Sequence, residues 1–144
     1  MMKYLLVIFS VLFLSCNQNK SEEENSTCEK PKEELKMYEA SEMAVLMEQM
    51  YVHNKQLREK IIKKDSLGEL PKYFLNITEA TMTKGKERDD FFNNKPGFFL
   101  KTQSEIYGSK NTKNSFNTMV DACISCHEVK CGGPIERIKT LYIK

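Results

Sequence analysis

The 144-residue chain predicts an all-α fold, a four-helix up-down-up-down bundle, on three observations. Apolar residues recur at helical spacing in four separate segments. No segment alternates apolar and polar residues for long, so strand signals are nearly absent. Short breaks marked by Gly, Pro or Asn separate the four segments, and helices joined by short loops pack as antiparallel neighbours.

The chain opens with a segment outside the bundle. Lys3 precedes an apolar run of eleven residues, Tyr4 to Leu14, followed by Ser15-Cys16. A basic start, a short apolar run and a small residue before the cut predict a signal peptide over residues 1–15. Eleven residues are too few to span a bilayer, which takes about 20. The ending F-L-S-C resembles a bacterial lipoprotein signal, with Phe13 where such signals usually carry Leu. The resemblance implies that Cys16 becomes the mature N-terminus and carries lipid. Two or more acyl chains would hold the protein at a membrane essentially permanently. The expected location is the cell envelope of a Gram-negative bacterium, as an outer-membrane lipoprotein on the periplasmic or the cell-surface side. Glu22, Glu23 and Glu24 resemble the acidic tag that sends some lipoproteins to the surface, and read equally well as a solvated linker. Residues 16–32 are polar and form the lipidated tether. Without residues 1–15 the chain has 129 residues, with 21 basic against 20 acidic. That balance, with no basic stripe, argues against a nucleic-acid partner.

Residues 33–144 form the expected domain. Leu35 to about Lys64 predicts the first helix, with Met43, Met47, Met50, Leu57 and Ile61 on one seam and Asn54 filling its gap. At 100° per residue they fall within about 80° of one another. Gly68 and Pro71 break the chain. Leu70, Tyr73, Phe74, Ile77, Ala80 and Thr81 predict a second, shorter helix ending near Gly85. Lys84 to Lys95, charged and rich in Asn, reads as a loop. A third helix is expected from Asn94 or Lys95, with Pro96 in its first turn, where a missing N–H costs little. Its stripe is Phe98, Phe99, Thr102 and Ile106. Asn111 or Thr112 caps a fourth helix bearing Phe116, Met119, Val120, Cys123 and His127. Cys131-Gly132-Gly133 ends it. Pro134 begins a last turn whose Ile135, Ile138 and Leu141 should pack back on the bundle.

The fourth helix carries the chemistry. Residues 123–127 read C-I-S-C-H, and on a helix Cys123, Cys126 and His127 share one face. This spacing is how a c-type haem is attached, each cysteine forming a thioether and the imidazole reaching the iron. A thioredoxin-like C-x-x-C belongs at the start of a helix that follows a strand, whereas this motif closes a helix. Zinc would draw on Cys123, Cys126, His127 and Cys131, but structural zinc sites usually take two ligand pairs from separated segments. Oxidising conditions outside the cytoplasm also compete for thiolates. One covalent haem c is therefore the expected cofactor.

A helical bundle with C-x-x-C-H at the end of its last helix resembles the class II c-type cytochromes, cytochrome c-prime and its low-spin relatives. The resemblance covers residues 33 to about 131, and only the pentapeptide is specific. It implies that Cys123 and Cys126 are the thioether cysteines and His127 the proximal iron ligand. It also implies electron transfer with redox partner proteins and no substrate turnover. In five-coordinate members the open site instead binds nitric oxide or carbon monoxide. The family usually carries a basic residue four places after the histidine, where this chain has Cys131. Most members stop near there, whereas this chain continues through "GGPIERIKTLYIK". Without haem, the remaining reading is a zinc-stabilised structural surface lipoprotein.

In an up-down-up-down bundle the first and last helices run antiparallel, which sets the motif against Met43, Met47 and Met50. Methionine sulfur is the second axial ligand of His/Met haems, although methionines at helical spacing also fill cores. Low-spin members follow their distal methionine with apolar residues three and ten places on. Met47 fits, with Met50 and Leu57, and is the candidate distal ligand; Met50 is the second choice. His53 lies about 80° off the seam and about 15 Å beyond Met43, so a solvent-facing imidazole is expected. With Cys16 lipidated and two cysteines on haem, Cys28 and Cys131 remain, either as a disulfide or as two unpaired thiols.

Overall fold

Ser41 decides where the first helix begins. The structure, a computed structural model, describes residues 39–144. The signal peptide 1–15, Cys16, the tether 16–32 with Cys28, and the helix start expected at Leu35 lie outside the described residues. Ser41 Oγ accepts from the Ala44 amide at 3.1 Å, and helix α1 runs Glu42–Lys63. Its C-terminus is closed by Lys64 at φ 60°, whose N–H returns to the Ile61 carbonyl, a left-handed cap that satisfies an orphan acceptor. The buried seam of α1 is Met43, Leu46, Met50, Asn54, Leu57 and Ile61. Leu46 takes the fully buried place that the sequence spacing assigned to Met47, which is only half-buried.

The second element is shorter and tighter than expected. Residues Lys72–Thr78 form a 3-10 helix rather than an α-helix ending near Gly85. Phe74, Ile77 and Ala80 are buried, and their spacing of three is the period of a 3-10 helix. Pro71 sets its start. Amides of Glu79 and Ala80 both turn back onto the Asn76 carbonyl, at 2.9 and 2.8 Å, and close it.

Helix α2 runs Asp90–Gly108, beginning several residues before Pro96. Asp89 Oδ1 accepts from the Phe92 amide at 2.9 Å and starts the helix there, so Pro96 sits inside it. The buried face is Phe92, Pro96, Phe99, Thr102, Gln103 and Ile106. Phe98, expected on that face, is 51% exposed.

Helix α3 runs Thr112–Lys130, capped by Asn111 as expected, and helix α4 is the short Ile135–Lys139. The three residues between α2 and α3 make them an antiparallel pair, since Lys130 at the end of α3 meets Asp89 at the start of α2. Helix α1 packs on α3, where Asn54 Nδ2 donates to Met119 Sδ at 3.7 Å. After α4, Ile138, Leu141 and Ile143 are buried against the core, as anticipated for the first two. Asn117 fixes this segment by bonding both the carbonyl and the amide of Ile143, at 3.0 and 2.9 Å. Every regular element among the described residues is helical.

Candidate functional site

Between α1, α2, the end of α3 and the C-terminal segment lies a cavity of about 300 Å³. That volume is in the range of small-molecule and cofactor sites. Cys123, Cys126 and His127 all line it, as the shared helical face requires. Met43, Met47 and Met50 line it from α1, and Phe92, Pro96 and Phe99 from α2. The residues brought together are thus the whole C-x-x-C-H turn and all three candidate methionines.

His127 is held in a defined tautomer. Its Nδ1 lies 3.0 Å from the Cys131 carbonyl. A carbonyl oxygen only accepts, so Nδ1 carries the proton and Nε2 keeps its lone pair free to bind a metal. Backbone orientation of this kind commonly supports a ligating histidine. The Cys131 amide returns a bond to the His127 carbonyl at 3.0 Å, so the last turn of α3 is braced from both directions.

The two thiols are kept neutral. Burial pushes Cys123 up to about 12, with a smaller contribution from Cys126, and its Sγ sits 3.6 Å from Met119 Sδ. Burial also raises Cys126, against the opposing charges of Lys95 and Lys130. Thiol–disulfide exchange uses the thiolate, which burial disfavours at both positions. Among the described residues no three His, Cys, Asp or Glu side chains gather as around a metal ion.

Met50 is buried at 4% exposure and Met43 at 6%. Met47 is half-buried at the cavity wall, so of the three it is the one least committed to the core. His53 does not line the cavity, and it does not point into solvent as expected. Its Nε2 is 3.0 Å from Tyr107 Oη and its ring packs edge-on to Phe74, 5.2 Å between centroids. Burial lowers its pKa. Cys131 is exposed at the cavity rim.

Two sets of residues escaped the sequence reading. Lys86, Lys95, Lys130 and Arg137 all line the cavity, yet they come from four different places in the chain. Asn54 also lines it and accepts from buried Gln103 Nε2 at 3.0 Å. An asparagine inside an apolar seam was the one visible sign of that bond. The donor set fits a covalent haem: two thiols, an imidazole with Nε2 free, methionines in the same lining, and mostly apolar walls. No family model, curated protein or solved structure matches the chain.

Proposed function

We propose that the chain is a c-type cytochrome of the class II kind, a four-helix up-down-up-down bundle with one covalently attached haem. It would be held at a membrane by lipid on Cys16 and act in electron transfer, without substrate turnover. What carries the reading is a single apolar cavity lined by the complete C-x-x-C-H face of α3 and by Met43, Met47 and Met50 of α1. When bound, the haem supplies a one-electron couple between ferric and ferrous iron. Cys123 and Cys126 would hold it by thioethers, and His127 would present Nε2 to the iron. Met47 would offer its sulfur from the facing helix, with Met50 as the second choice. Phe92 and Phe99 give the slot apolar walls, and the Cys131 carbonyl holds the imidazole in orientation.

The test is the absorption spectrum and haem stain of protein matured in a haem-competent host. Haem should remain with the polypeptide on a denaturing gel, and Cys123→Ala/Cys126→Ala should leave no stained band. A low-spin spectrum with a methionine-to-iron charge-transfer band fits the electron carrier. A high-spin ferric spectrum selects the gas-binding reading instead, and absence of a Soret band leaves only a structural lipoprotein. Cys16→Ser should abolish incorporation of labelled fatty acid. Among the described residues no helix is long and apolar enough to cross a membrane.

A further inference from the structure

Four cations stand around a cavity whose interior is apolar: Lys86 before α2, Lys95 on α2, Lys130 at the end of α3, and Arg137 on α4. Two of them are already neutralised. Lys130 pairs with Asp89, and Arg137 holds Glu48 through both guanidinium nitrogens at 2.6 Å each. Among the described residues, Lys86 and Lys95 have no carboxylate at ion-pair distance. Lys86 is exposed, and Lys95 is half-buried with its Nζ 5.1 Å from the Phe91 ring centre.

A half-buried ammonium with only an aromatic ring for company is poorly compensated, and a carboxylate would satisfy it by a charge-assisted bond. A ligand with an apolar body and two carboxylates would complement the apolar lining and the two unpaired ammonium groups. Haem has that form, with two propionates. We infer that Lys86 and Lys95 form a two-point anchor for the carboxylates of the group in the cavity, one lysine to each propionate. This rests on the haem reading above.

The experiment uses the full chain produced without haem, titrated by fluorescence with protoporphyrin IX and with its dimethyl ester, which lacks both carboxylates. The parent should bind the diacid about tenfold or more tighter than the ester. Lys86→Ala/Lys95→Ala should lose that preference by weakening the diacid alone, and Lys86→Arg/Lys95→Arg should keep it. An undiminished preference in the alanine variant overturns the anchor while leaving the cavity reading intact. Equal weakening of both porphyrins also overturns it, because the lysines would then be shaping the slot. If the parent binds neither porphyrin, the cavity reading fails and the anchor with it.

Discussion

In the N-terminal half of α3, Phe116, Met119 and Val120 have no exposed surface. In its C-terminal half, Cys123, Cys126 and His127 each keep part of theirs open around a cavity. The same helix, packed between the same neighbours, is solid at one end and hollow at the other. Close packing is the ordinary state of an interior, so the hollow end gives up stability that the solid end collects. Asn54 marks the boundary, touching Met119 on one side and the cavity on the other.

The sharpest way to break the contrast is to hollow out the solid end. Phe116→Ala should cost about 3–5 kcal/mol, whereas Cys126→Ala in haem-free protein should cost under about 1 kcal/mol, since it removes little packed volume. Urea denaturation of both decides it, and comparable losses would mean that the two halves are packed alike. Next come the methionines facing the cavity. Met50→Ala should cost about 2–5 kcal/mol while the haem-loaded protein stays low-spin. Met47→Ala should cost less and convert the spectrum to high-spin, with a lower reduction potential and new carbon monoxide binding. If the two variants exchange behaviour, Met50 is the ligand.

At the boundary, Asn54→Ala strips Gln103 Nε2 of its acceptor, in a side chain whose Oε1 already has no partner. Leaving a buried donor unsatisfied costs about 1–3 kcal/mol. A melt unchanged from the parent would show that water reaches this point from the cavity. The smallest effect belongs to His53. Burial, and secondarily Lys60, lowers its pKa from 6.5, so the unfolded chain takes up the proton first. Stability should therefore be fully present well above pH 6.5 and decline as the pH falls through and below that value. His53→Gln should flatten that window, which lies above the range in which Asp89 and Glu42 titrate. A parent midpoint that is level across the window would rule out the linkage.

What the sequence made legible is what one helix contains by itself. Cys123, Cys126 and His127 needed only the helical period to fall on one face, and Met43 and Met50 followed from the same arithmetic. Errors arose where a local competitor decided the outcome. Asp89 capped α2 ahead of Pro96, although a proline inside a helix forfeits a hydrogen bond. The 3-10 segment buries every third residue, which over so short a span imitates an α-helical stripe. Assigning Met47 rather than Leu46 to the buried seam was a rotation of one position, small in sequence and large in exposure. The rest was invisible because it spans long separations: His53 with Tyr107, Asn54 with Gln103, and the cations at the cavity rim meet only after folding.

The wall contributed by Pro134, Ile138 and Leu141 has a consequence in time. A polypeptide is made from its amino end, so the C-x-x-C-H turn exists before the residues that close this side of the slot. Until those residues dock, the side of the slot that they wall stays open. Once Asn117 grips Ile143 and Arg137 grips Glu48, that flank is shut. Access to the cavity from this flank therefore depends on whether the segment from Pro134 to Ile143 is docked.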